Sequence, residues 1–155
     1  MHKIIIISFV LFIVSCTAQQ KTTTTYSGKG GDTRTVEVKY LDENTYLLTE
    51  LSLDATYGYT EGNPIMVGGV HDGSAVLNER RFLNALLGPN GEAITYHRAG
   101  SCCGFETPNG FINNMGMLDL YIIEYPGAAQ SIKLYINMYD AGDLKIPIGF
   151  TAKTN

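Results

Sequence analysis

The chain has 155 residues, 45% of them hydrophobic and 17% charged, with 11 Lys+Arg against 15 Asp+Glu for a formal charge of −4. That length suits one ordinary domain with a real core. The mild, dispersed acidic balance argues against nucleic acid, whose partners carry a basic stripe.

Residues 1–15 read as a signal peptide. His2 and Lys3 give a positive start, and Ile4 to Val14 is aliphatic and aromatic apart from Ser8. The run is shorter than the roughly 20 residues that span a bilayer, and has the length of a signal h-region. Ile13-Val14-Ser15-Cys16 resembles the lipobox of bacterial lipoproteins. The resemblance implies cleavage before Cys16, diacylation of its sulfur and attachment to a membrane through that lipid. Each buried methylene adds about 0.8 kcal/mol, so several acyl chains on one residue anchor firmly. The alternative is ordinary cleavage after Ala18. Residues 17–32 hold almost no apolar side chain and are expected to form a flexible tether. No acidic cluster follows Cys16. Such a cluster often marks surface export of lipoproteins, so the expected location is extracytoplasmic, on the periplasmic side of the outer membrane. The expected organisation is a signal peptide over 1–15, a lipidated Cys16 with its tether over 16–32, and one β-rich domain over 33–155.

Within the domain, Val36, Val38 and Tyr40 alternate with Glu37 and Lys39, the pattern of a half-buried strand. Asp42-Glu43-Asn44 is a turn leading to a second strand over Thr45 to Leu51, so the two predict a hairpin. Tyr57-Gly58-Tyr59 and Ile65-Met66-Val67 suggest a third extended stretch. One helix is expected, capped by Asn78, with Glu79 in its first turn, a stripe of Leu83, Leu86 and Leu87, and a stop at Gly88-Pro89. Glu92–Arg98 reads as a strand, and Gly100 to Gly104 as a glycine-flanked loop. Pro108-Asn109-Gly110 is a turn. Met117–Tyr125 and Ser131–Tyr139 alternate best and predict an antiparallel pair across Pro126-Gly127. Ile146–Phe150 suggests a short last strand, with Pro147 placing it at an edge. The fold class expected is α+β: a mainly antiparallel sheet, sandwich- or barrel-like, with one short helix.

Cys102 and Cys103 carry the most unusual chemistry. A thiolate beside His97 and Arg98 would have a lowered pKa and could act as a nucleophile. The two cysteines with His97 and His71 could bind zinc, but adjacent cysteines lack the usual spacer, and no metal is expected. A vicinal disulfide could act as a rigid loop element or a redox switch. Two small buried side chains, or a disulfide fixing one turn, is the plainer reading, and it is favoured together with the vicinal disulfide over a catalytic role. Neighbouring α-carbons lie about 3.8 Å apart, below the usual disulfide range of roughly 4.4–6.8 Å. The pair is therefore not expected to be an ordinary stability staple.

His71-Asp72 sits in a glycine-rich stretch and reads first as a polar turn. Arg80 and Arg81, at the expected helix start, could hold a carboxylate or phosphate, although such residues more often form a solvated face. Tyr57 with Tyr59, and Tyr135 with Tyr139, would share strand faces and could stack on a sugar, with packing as the default. No cofactor is expected.

Tyr57-Gly58-Tyr59-Thr60, Asn63-Pro64-Ile65, Asn78-Glu79-Arg80-Arg81-Phe82-Leu83-Asn84-Ala85-Leu86, Gly100-Ser101-Cys102-Cys103 and Leu134-Tyr135-Ile136-Asn137-Met138-Tyr139-Asp140 together resemble a family of small lipoproteins from Bacteroidetes-type bacteria. Members often carry the inherited name 2-dehydro-3-deoxyphosphooctonate aldolase. The resemblance spans most of Asp54–Thr151 and implies no particular catalytic residues. The name evokes barrel enzymes of about 250 residues, whereas this domain is shorter, reads as antiparallel and follows an export signal. The expected function is a non-catalytic binding or structural module of the envelope, its partner an envelope protein or a small ligand. The alternative is a small extracytoplasmic enzyme or redox protein using Cys102, Cys103 and His97.

Overall fold

The computed structural model describes residues 32–154. The expected signal peptide, Cys16 and most of the tether lie outside the described residues.

The elements are β1 (Lys39–Asp42), β2 (Thr45–Leu47), β3 (Ile65–Met66), α1 (Ala75–Ala85), β4 (Leu86–Leu87), β5 (Thr95–Glu106), β6 (Met115–Glu124), β7 (Ile132–Asn137) and β8 (Thr151–Ala152). A four-stranded sheet has the order β3-β7-β6-β5, and β1-β2 and β4-β8 form two small ribbons. β6 pairs antiparallel with both β5 and β7, while β3 joins β7 in parallel. The fold is thus α+β and mainly antiparallel. The sheet does not close into a barrel among the described residues.

Alternation in the central strands creates the core. Asp119 lies opposite Ile136, Tyr121 opposite Leu134, and Ile123 opposite Ile132, so one face of β6 and β7 carries this row. Phe82, Leu83 and Ala85 of α1 join Tyr121, Ile123, Leu134, Ile136, Ile65 and Tyr46 in a single buried cluster. A fully buried side chain such as Phe82 or Leu83 contributes roughly 1.5–3 kcal/mol.

The helix begins at Ala75, four residues before the expected first helical residue, Glu79. Asp72 accepts from the Ser74 N–H at 2.9 Å and the Ser74 hydroxyl at 2.5 Å, fixing the turn before Ala75. Asn78, expected as the cap, is buried inside the helix, and its amide donates to the Gly68 carbonyl at 3.2 Å and to Ser74 Oγ at 2.9 Å. Arg80 and Arg81 therefore lie mid-helix. The helix also stops early, because Leu86 turns extended and Leu86–Leu87 pair with Thr151–Ala152. Tertiary pairing here overrides a helical propensity that would carry on to Gly88.

β5 is the larger correction. The expected loop at Gly100–Gly104 is strand, and β5 runs for 12 residues along the sheet edge. Two register shifts, between Arg98 and Gly100 and between Cys102 and Gly104, absorb one residue each. Gly100 at φ 150° and Cys103 at φ 56° take the backbone angles those bulges need. Glycines that read as loop signals are here the means of keeping pairing in step.

Tyr57-Gly58-Tyr59 is a turn, not a strand: Gly58 has φ 79°, and the N–H groups of Tyr57 and Tyr59 donate to Asp54 and Thr56. A Cβ at Gly58 would come within 2.9 Å of Ile65 Cδ1, so glycine also permits close packing. Ile146–Phe150 makes only an isolated bridge between Ile146 and Leu51, and the last strand is displaced to Thr151–Ala152.

Candidate functional site

Cys102 and Cys103 are joined as a vicinal disulfide in the bulged part of β5, both half-buried. Cys102 lies opposite Leu118, whereas His97 lies opposite Ile122. Those partners are four residues apart on β6, which separates the backbone positions of His97 and Cys102 by about 13 Å along the strand. Arg98 is committed elsewhere: its Nε and terminal nitrogen donate to the Asp119 carboxylate at 2.6 and 2.7 Å. Ser101 Oγ donates to the same carboxylate at 2.9 Å. The thiol, imidazole and guanidinium of the enzymatic alternative are therefore not assembled at one point.

Close to this ion pair lies Glu79, which the sequence reading placed in the first turn of the helix. Glu79 is fully buried, and its Oε2 accepts from the Tyr121 hydroxyl at 2.8 Å. Its Oε1 has no hydrogen-bond partner. Burial, reinforced by the nearby Asp119 charge, pushes the Glu79 pKa up to about 7. The sequence did hold a signal: Glu79, Phe82, Leu83 and Leu86 recur at helical spacing and so share the core-facing stripe.

A different region offers concavity. A cleft of about 330 Å³ opens between the first half of α1, the β1–β2 ribbon and the strap before it. Arg81 enters it from the helix. Its Nε donates to the Glu43 carbonyl at 2.9 Å, and a terminal nitrogen donates to Asn78 Oδ1 at 3.0 Å. The guanidinium carbon sits 5.1 Å from the Tyr40 ring centre, a cation–π contact. Tyr40 in turn packs on Tyr46 with ring centres 5.3 Å apart. Burial pushes the Tyr46 hydroxyl up to about 12, so it stays protonated and able to donate.

Arg34 closes the cleft from the strap, paired in forked geometry with Asp32. Asp72 lines the wall while fixing the turn before α1, and its hydrogen bonds to Ser74 hold its carboxyl below the usual range. A second hollow of about 450 Å³ adjoins, sharing Arg34 and Tyr40.

Of the candidates from sequence, the structure brings only Asp72 and Arg81 to this cleft. His71 is exposed, its Nε2 lying 3.3 Å from Asn109 Oδ1 and its ring edge-on to Phe111. Arg80 is exposed beyond the cleft walls. Sequence reasoning missed Arg34, Tyr40 and Tyr46, which meet Arg81 only through tertiary folding. Among the described residues, no group of three or more His, Cys, Asp or Glu is placed to hold a metal ion. Comparison with protein-family models, with curated proteins and with solved structures finds no match.

Proposed function

We propose that the chain is a lipid-anchored envelope protein whose domain binds a ligand rather than transforming one. The observation that carries the reading is the separation of reactive groups from concavity. The two sulfurs are tied to each other on an edge strand, and the backbone positions of Cys102 and His97 lie about 13 Å apart along it. The polar cleft at Arg81 contains neither cysteine nor histidine. Arg81 and Tyr46 there are binding groups: a fixed fork of donors and a protonated phenol.

The anchor rests on the lipobox at Ile13–Cys16 and its short apolar run. Protein isolated from native envelopes should yield an acylated N-terminal peptide beginning at Cys16, and Cys16→Ser should lose tight membrane association. An unacylated N-terminal peptide beginning at Gln19 would reject the anchor. Cross-linking of the intact protein in its envelope should capture a bound component. A turnover that depends on Cys102 or Cys103 would reject the binding role.

A further inference from the structure

We propose that the cleft at Arg81 binds a monoanionic, polyhydroxylated carboxylate of the uronic-acid class. The assignment rests on the binding reading above and specifies what is bound.

The argument starts from charge. Arg34 is paired with Asp32, Arg98 with Asp119, and Lys145 with Glu50. Arg81 has no carboxylate partner among the described residues. It is half-buried and its partners are neutral: a carbonyl, an amide oxygen, an aromatic face and the Tyr46 hydroxyl. A guanidinium partly withdrawn from water gains most from an anion that accepts two parallel N–H bonds, which a carboxylate does. Its Nε and one terminal N–H are spent on Glu43 and Asn78, which fix the plane of the fork. The remaining N–H groups are free of any carboxylate.

One unpaired positive charge sets the charge of the guest. A dianion would bring its second charge toward Asp72, which also lines the cleft, so a monoanion fits better than phosphate. The walls set the rest. Apart from Val67 and Ala141, the residues lining the cleft carry no aliphatic side chain. The Ser74 hydroxyl, the Asp72 carboxylate and the Tyr46 hydroxyl are donors and acceptors for a guest rich in hydroxyl groups. A volume of about 330 Å³ is at the low end for small-molecule sites and holds one sugar ring.

The test is calorimetric titration of the full acylated protein in detergent with D-glucuronate, D-glucose and inorganic phosphate. Glucuronate should bind saturably with roughly millimolar Kd, as expected for a small ligand held by one ion pair. Glucose and phosphate should each bind at least tenfold more weakly. Arg81→Gln should weaken glucuronate at least tenfold. Because Arg81 also ties the Glu43 turn to the helix, Tyr46→Phe provides a second variant that keeps the guanidinium and its contacts to Glu43, Asn78 and Tyr40, and it should weaken glucuronate several-fold. Arg80→Gln should bind as the wild type does. Glucose or phosphate binding as tightly as glucuronate would overturn the assignment, as would wild-type affinity in Arg81→Gln. If no probe binds while envelope cross-linking still captures a component, the carboxylate class is rejected and the binding role stands.

Discussion

The Tyr121 hydroxyl donates to Glu79 Oε2 at 2.8 Å inside the core, while Oε1 of the same carboxyl has no hydrogen-bond partner. A half-satisfied carboxyl at 0% exposure is poorly placed to ionise. Asp119, paired with Arg98, adds like charge on the same side.

Stability should therefore fall as pH rises through the window of this group. The folded pKa is raised from 4.5 to about 7, so the folded state holds a proton that the unfolded chain has released. The penalty begins near pH 4.5, grows up to about pH 7 and is then constant, reaching the order of 2–3 kcal/mol. Glu79→Gln removes this titration. Urea unfolding of variant and wild type should give similar stabilities at pH 4.5 and a variant more stable by about 1–3 kcal/mol at pH 8. A difference that stays flat between those pH values would show that Glu79 does not titrate there.

Arg98 and Asp119 form the complementary case. The Asp119 side chain is only 4% exposed, whereas that of Arg98 is 45% exposed. Removing the guanidinium leaves a buried carboxylate with Ser101 as its remaining hydrogen-bond donor. A fully buried pair broken on one side costs about 3–5 kcal/mol, and solvent screening at the exposed partner lowers that to roughly 1–3 kcal/mol for Arg98→Ala. Adding Asp119→Asn should recover part of the loss. A double variant as unstable as the sum of the two single variants would mean that the pair is not coupled.

How much of this was legible beforehand differs by element. The β6–β7 pair was readable because Ile132, Leu134 and Ile136 alternate with Lys133 and Tyr135 and a Pro-Gly turn precedes them. The helix was readable as a helix, but its start was not, because Asp72 captures Ser74 and makes a better stop than Asn78. The bulged course of β5 was hidden: glycine at 100 and 104 signals a loop equally well, and only pairing to β6 decides otherwise. The cleft was least legible. Arg81 was visible as a candidate, but Tyr40, Tyr46 and Arg34 reach it from segments far away in sequence, and no local period encodes that meeting.

The lipoprotein resemblance carries an aldolase name, but the described residues do not form the barrel which that name evokes. Parallel (β/α)8 barrels need eight alternating units, whereas the described residues form one helix and a mainly antiparallel sheet. Purified protein supplied with 3-deoxyoctulosonate phosphate and inorganic phosphate should release no more phosphoenolpyruvate than buffer does. A turnover abolished by a single substitution in the domain would prove otherwise.

The vicinal disulfide should matter locally and not globally. Cys102 and Cys103 are neighbours, so their bond closes the smallest loop a chain can form. The stabilisation a disulfide provides through the unfolded state grows with loop length and is about 3 kcal/mol for a 15-residue loop, so here it should be far smaller. What the bond can hold is the bulge, where Cys103 stands at φ 56° between residues paired to Leu118 and Met117. Replacing both cysteines by Ser should leave the melting temperature within a degree or two of wild type. Amide exchange should quicken around residues 100–105, where an edge strand loses its constraint. Alkylation of protein taken from the envelope without reductant should label neither cysteine. Two freely alkylated thiols would reject the disulfide, and a melting temperature lowered by ten degrees would reject the local role.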